Sequence, residues 1–153
     1  LMMFFTGFTR FSSDVQKANA GTVETREAKE KRYLEMLSLV DKAENILTDC
    51  NTDLDEFGRM LDHTWNLKKQ TGSAVSTNNI DELYDKGMKA GALGGKLLGA
   101  GGGGFLVFYV QPEYQNAVKE AMKDLMYIPF NFEDGGTRVI HYTPETYLPL
   151  EEK

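Results

Sequence analysis

The stretch from Gly91 to Val110, Gly-Ala-Leu-Gly-Gly-Lys-Leu-Leu-Gly-Ala-Gly-Gly-Gly-Gly-Phe-Leu-Val-Phe-Tyr-Val, constrains this chain more than any other. Between Leu97-Leu98 and the apolar run Phe105 to Val110, five of the six positions 99 to 104 are glycine. Inside a strand or helix each glycine costs roughly 0.5–1 kcal/mol relative to alanine, because it loses the most chain entropy on folding. Four in succession between segments that favour strands therefore need a physical reason. Two are open: successive bare N–H groups that converge into an anion-binding nest, or a tight, well-packed turn in a β-hairpin.

Two familiar glycine fingerprints fail here. Gly99, Gly101 and Gly104 formally satisfy G-x-G-x-x-G, but the dinucleotide motif requires a helix to open directly after the glycines. The next residues are instead Phe105-Leu-Val-Phe-Tyr-Val110, an aromatic and β-branched run that predicts a buried strand. A Walker loop needs G-x-x-x-x-G-K-[ST], whereas Gly95-Lys96 is succeeded by Leu97 and Ala90 stands where the first glycine belongs.

The rest of the composition narrows the class. At 153 residues, 41% hydrophobic and 26% charged, the chain suits one globular domain. Its net charge of −6 and lack of a basic block argue against nucleic-acid binding, so an anionic ligand has to be drawn by a local cluster. The single Cys50 cannot form an internal disulfide and fits the reducing cytoplasm. His63 and His141 give no metal-ligand spacing. No apolar run approaches the roughly 20 residues of a membrane span. Leu1-Met-Met-Phe-Phe5 begins inside what reads as a strand, and the expectation is a cut within a longer polypeptide.

Along the chain, Leu1–Phe5 is predicted to be a buried strand ended by Thr6-Gly7, and Ser12-Ser13-Asp14 offers N-cap oxygens to a short helix through about Ala20. With Arg10 between them, this strand–loop–helix start either binds an anion at the helix N-terminus or is a routinely capped helix with its arginine in solvent. A long helix is expected over 24–49, with Tyr33, Met36, Leu37, Val40, Ala43 and Leu47 as its core-facing stripe. A second runs from about Leu54 to Lys69 with an apolar stripe of Leu54, Phe57, Leu61 and Trp65. Gly58 in that stripe costs about 1 kcal/mol of propensity and points to close approach of another backbone. Arg59, His63, Asn66, Lys68 and Lys69 on the same helix carry no function on spacing alone.

A third helix starts near Asn78 and ends at Gly91. Strand alternation then sets Lys96 and Leu98 on one face and Leu97 on the other. Lys96 can hold a phosphate as a point charge or snorkel to an edge. After Val110, Pro112 opens a helix bearing Val118, Ala121, Met122 and Leu125. Strands at Ile128–Phe132 and Thr137–Tyr142, joined through Glu133-Asp-Gly-Gly136, form an expected hairpin. The tally predicts an α+β fold: an antiparallel sheet of about four to five strands with a helical layer, and Phe105–Val110 as a central strand.

Gly94-Gly-Lys-Leu-Leu-Gly-Ala-Gly-Gly-Gly-Gly-Phe105 resembles the third conserved motif of the GHMP kinases. Trp65-Asn-Leu-Lys-Lys69 and Asn79-Ile-Asp-Glu-Leu83 precede it in the order of that family's C-terminal half. Phe5-Thr-Gly-Phe-Thr-Arg-Phe-Ser-Ser13 looks like the opening of that half in the D-glycero-D-manno-heptose 7-phosphate kinase branch. Mevalonate kinases usually carry threonine after Lys-Leu and cysteine after the glycines, where this chain has Leu98 and Phe105.

The resemblance implies a ferredoxin-like core with inserted helices, residues 1–153 being the C-terminal domain. It also implies transfer of the ATP γ-phosphate, with Mg2+, to the anomeric hydroxyl of a heptose 7-phosphate. Lys96, Gly99, Gly101, Gly102, Gly103 and Gly104 carry over as phosphate contacts, and Thr6, Arg10, Ser12 and Ser13 as sugar-phosphate contacts. The family's nucleotide loop and acidic catalytic residues belong to an N-terminal half that this chain lacks, so the partner is that half and the isolated chain is expected to be inactive. Alternatives are another GHMP kinase, fucokinase-like or mevalonate-like, and a non-catalytic α+β binding or regulatory module. Oligomeric state is left open by the sequence.

Overall fold

The computed structural model describes residues 1–7 and 25–142. Four strands form one antiparallel sheet: β1 (Met2–Phe5), β2 (Ala92–Leu97), β3 (Phe105–Val110) and β4 (Met126–Ile128), in the order β2-β3-β1-β4. Among the described residues, three helices, α1 (Arg26–Thr48), α2 (Asp55–Lys69) and α3 (Asn78–Lys89), lie between β1 and β2. A 3-10 turn (Pro112–Tyr114) and α4 (Gln115–Ala121) link β3 to β4. This is the α+β, ferredoxin-like arrangement the sequence predicts, with β3 internal as expected from its two apolar faces.

Residues opposite one another in an antiparallel pair share a face. Met2↔Phe108, Phe4↔Leu106 and Leu97↔Leu106 therefore put one set of side chains together, and all of them are buried. Helices α3 and α4 close over this face: Ile80, Tyr84, Val118 and Met122 join Trp65 of α2 in the same cluster. Gly87 gives α3 its approach, because a Cβ there would lie 2.6 Å from Cζ of Phe108.

Helix α2 lies against β2 main chain to main chain. A Cβ on Gly94 would collide with the carbonyl oxygen of Gly58, and one on Gly58 would sit 2.6 Å from the Tyr109 ring. Gly58 thus serves the close approach that its cost implied. The Tyr84 hydroxyl of α3 links the two: it donates to Oδ1 of Asp62 on α2 at 2.7 Å and lies 3.3 Å from the Gly95 carbonyl of β2.

Two expectations need correction. In α1 the stripe is displaced: Tyr33, Leu37, Val40 and Leu47 are exposed, and Ile46 is the buried residue. The helix packs on α2 rather than on the sheet, with His63 Nε2 of α2 at 2.9 Å from Oε1 of Glu35. A single helical neighbour covers only a narrow strip, and here that strip follows Met36, Leu39, Ala43 and Ile46.

The hairpin over 128–142 is also absent. β4 starts at Met126 and stops at Ile128, because Pro129 has no N–H to continue the ladder. Glu133-Asp-Gly-Gly136 does turn, with Oε1 of Glu133 accepting from the Gly135 amide at 2.9 Å. Residues 137–142 nevertheless form no strand, and Val139 and Ile140 are exposed.

Candidate functional site

The loop between β2 and β3 is closed at its base by a bond from the Leu98 amide to the Phe105 carbonyl, 2.8 Å. Within it Gly99, Gly101, Gly102 and Gly104 have φ of +84°, +118°, +74° and +111°. The glycines here are thus a conformational requirement as well as a steric one.

Three anchors shape the loop. The Gly102 amide donates to the Val75 carbonyl at 3.0 Å, and a Cβ on Gly101 would lie 2.7 Å from both Cα and O of Val75. The loop main chain therefore rests on the main chain of the segment that joins α2 to α3. Thr6, at the end of β1 and 2% exposed, makes the second anchor. Its amide and hydroxyl donate to the Gly104 carbonyl at 2.8 and 2.9 Å, and its Oγ1 accepts from the Gly104 amide at 3.1 Å. The third is Lys68 of α2, whose Nζ donates to the Gly99 carbonyl at 2.5 Å.

These bonds sort the predicted residues. The amides of Gly102 and Gly104 are taken by the protein, and the Thr6 hydroxyl is committed to the loop, so these three shape the site. Among the described residues, no protein acceptor is hydrogen-bonded to the amides of Gly99, Ala100, Gly101 or Gly103. At Gly99 nothing lies within 4 Å of where a Cβ would be. Arg10, Ser12 and Ser13 lie outside the described residues.

Lys96 is half-buried, on the sheet face opposite Leu97, as alternation requires. Its side chain lines a pocket of about 210 Å³ beside Phe57, Leu61 and Thr64 of α2. One helical turn beyond Thr64 on the same stripe comes Lys68. The Lys68 ammonium is held below the ordinary lysine range, first by burial and then by the charge of Lys96. Lys68 thus joins the loop, through the Gly99 carbonyl, to the neighbourhood of Lys96.

Lys68 is the site residue that the sequence did not single out. The spacing Phe57, Leu61, Thr64, Lys68 continues one face of α2 and is the signal that could have found it. The adjacent Lys69 goes elsewhere, to Asp81 at 3.5 Å. Among the described residues, no group of three or more His, Cys, Asp or Glu converges to hold a metal ion, and no helix is long and apolar enough to cross a membrane.

Comparison with known proteins places this geometry. The family model for the GHMP kinases C-terminal region matches residues 42–128, more than half of the chain. A D-glycero-alpha-D-manno-heptose 7-phosphate kinase from Campylobacter jejuni is 26% identical over 90% of this chain and 40% of its own length. A mevalonate kinase from Thermococcus gammatolerans is 34% identical over 95% of this chain and 42% of its own. Among solved structures, L. major mevalonate kinase in complex with R-mevalonate superposes with a TM-score of 0.66 at 22% identity, covering 80% of this chain and 37% of that one. The Methanococcus jannaschii mevalonate kinase gives the same TM-score and identity, covering 83% of this chain and 37% of that one. These two likenesses establish the fold, and the chain spans about 40% of the length of the curated relatives it matches. With the matched segment running from the end of α1 through β4 and enclosing the glycine loop, the chain belongs to the GHMP kinases and carries their C-terminal domain.

Proposed function

We propose that residues 1–153 are the C-terminal domain of an ATP-dependent small-molecule kinase. Its substrate is a heptose 7-phosphate, phosphorylated at the anomeric hydroxyl. The acceptor oxygen attacks the γ-phosphorus, the bond to the β-phosphate bridging oxygen breaks, ADP leaves and the hydroxyl proton is released. Phosphoryl transfer of this kind depends on positioning and on neutralising charge at the transferring oxygens.

The observation that carries the reading is the loop 99–104, where, among the described residues, the amides of Gly99, Ala100, Gly101 and Gly103 meet no protein acceptor, three residues along the chain from Lys96. In this role the loop amides and Lys96 supply fixed positive potential to phosphate oxygens, while Thr6, Gly102 and Gly104 hold the loop's shape. Arg10, Ser12 and Ser13 are proposed to contact the distal phosphate of the sugar. Among the described residues no three His, Cys, Asp or Glu side chains converge as a metal-binding group. Metal ligands and any general base are proposed to come from an N-terminal half of the same polypeptide, in the cytoplasm.

A second reading, mevalonate as substrate, is favoured by the 34% identity to the Thermococcus enzyme. Leu98 and Phe105, where mevalonate kinases usually carry threonine and cysteine, favour the heptose phosphate. ATP consumption by the intact protein over heptose 7-phosphate, heptose, hexose and mevalonate tests both. Turnover confined to heptose 7-phosphate supports the proposal, turnover confined to mevalonate replaces it, and no ATP consumption with any acceptor returns the chain to a binding or regulatory role. Lys96→Ala is expected to lower kcat/KM at least about tenfold, equivalent to about 1.4 kcal/mol of transition-state stabilisation.

A further inference from the structure

The charges around the glycine loop are unbalanced. Carboxylates are plentiful, with 23 acidic residues against 17 basic ones. Elsewhere three lysines use them: Lys69 pairs with Asp81, Lys86 with Asp124 and Lys123 with Glu120. Among the described residues, neither Lys68 nor Lys96 has a carboxylate within ion-pair distance. Each lies close enough to the other for Lys96 to disfavour the charged form of Lys68, on top of the cost of burial. Holding two like charges together, half out of water and without a counter-charge, is unfavourable.

The position of Lys68 in the last turn of α2 does not account for this. A lysine there interacts favourably with the helix dipole from any outward rotamer, and Lys69 already occupies that end. Lys68 instead reaches across to the Gly99 carbonyl at 2.5 Å. A carbonyl offers a partial charge to an ammonium that has three donors, so two remain for another acceptor. The carbonyl it holds belongs to Gly99, where nothing lies within 4 Å of a would-be Cβ.

We propose that Lys68 is a second ligand for a phosphoryl group, gripping it together with Lys96, and that the Gly99 carbonyl occupies its ammonium while no anion is bound. This rests on the kinase reading above and adds to it a residue that acts through charge rather than through loop support. A phosphoryl dianion supplies the counter-charge the two lysines lack, and it can come from either the nucleotide or the distal phosphate of the sugar.

The test measures equilibrium binding of inorganic pyrophosphate, ADP and heptose 7-phosphate to the intact protein, with steady-state kinetics beside it. Wild type is compared with Lys68→Met, Lys68→Gln and Lys68→Arg. Lys68→Met is expected to weaken binding of at least one of these anions about tenfold, with kcat/KM falling in parallel. Lys68→Gln keeps a donor for the Gly99 carbonyl but no charge, and is expected to bind as weakly as Lys68→Met. Lys68→Arg retains the wild-type affinity. Wild-type affinity should also fall as pH rises toward the lysine range, less steeply in Lys68→Met and at higher pH in Lys68→Arg. Loss confined to pyrophosphate and ADP assigns the nucleotide phosphates, and loss confined to heptose 7-phosphate assigns the sugar. Wild-type affinity in Lys68→Gln overturns the proposal, because Lys68 then only props the loop. Wild-type protein that binds none of the three anions and consumes no ATP overturns the kinase reading together with it.

Discussion

Thr6 and Gly104, 98 residues apart in sequence, exchange hydrogen bonds through the threonine hydroxyl, which donates to the glycine carbonyl at 2.9 Å and accepts from its amide at 3.1 Å. Thr6→Val keeps the shape of the side chain and removes both bonds. It leaves the Gly104 amide unpartnered next to a buried methyl, a loss of about 1–3 kcal/mol. Urea unfolding should show that loss for Thr6→Val and most of it restored in Thr6→Ser.

Gly99 and Gly101 both carry positive φ, yet they should respond differently to alanine. At Gly99 the new methyl meets nothing, so the cost is backbone strain alone, on the order of 1 kcal/mol. At Gly101 the methyl also meets Val75 Cα and O at 2.7 Å, which the loop can relieve only by losing the Gly102–Val75 bond. Thermal unfolding should rank Gly101→Ala well below Gly99→Ala. Equal melting temperatures would remove Val75 as the support of the loop.

A methyl at Gly94 has no flexible neighbour to displace, since it collides with the Gly58 carbonyl. Gly94→Ala must push α2 off β2 and is expected to lose more than about 3 kcal/mol, in the range of severe core overpacking. Soluble yield and chemical denaturation measure it. Wild-type stability would mean that the helix does not rest on the strand.

The Tyr84 hydroxyl is pushed well above the ordinary tyrosine range, chiefly by burial and then by its bond to Asp62. Its ordinary value is 10.0. Above that pH the unfolded chain gives up the proton and the folded one keeps it, so Tyr84 contributes stability at neutral pH that is lost as pH rises through 10 toward the folded value. Tyr84→Phe should cost about 1–3 kcal/mol at pH 7, because Asp62 loses a donor. It should also flatten the decline in stability above pH 10, read from denaturation midpoints between neutral and alkaline pH.

Much of the architecture was legible because it obeys local periodicity. The helices around 24–49, 54–69 and 78–91 show a 3.6-residue pattern, and the two apolar faces of Phe105–Val110 identify an internal strand. The opposed faces of Lys96 and Leu97 result from the same pleat. What misled was information that lies in neighbours. Apolar spacing says that α1 has a sticky side but not which element meets it, so Tyr33, Leu37, Val40 and Leu47 read as core and lie outside. Glu133-Asp-Gly-Gly136 carries turn chemistry, but a turn makes a hairpin only when both flanking segments find a sheet, and Pro129 has already ended that one. Lys68 and Lys69 are indistinguishable by composition. The stripe of Phe57, Leu61 and Thr64 separates them, and the angle at which α2 crosses β2 turns that stripe toward Lys96.

That angle and height are set where Gly58 and Gly94 touch. Because peptide atoms meet there with no side chain between them, the contact cannot be retuned by repacking. Lys68 lies roughly three turns further along α2, and its reach to residue 99 inherits the tolerance of that distant seam. The seam works as a gauge block: the ammonium stands where it does because two hydrogens, far from any ligand, are the only substituents that fit.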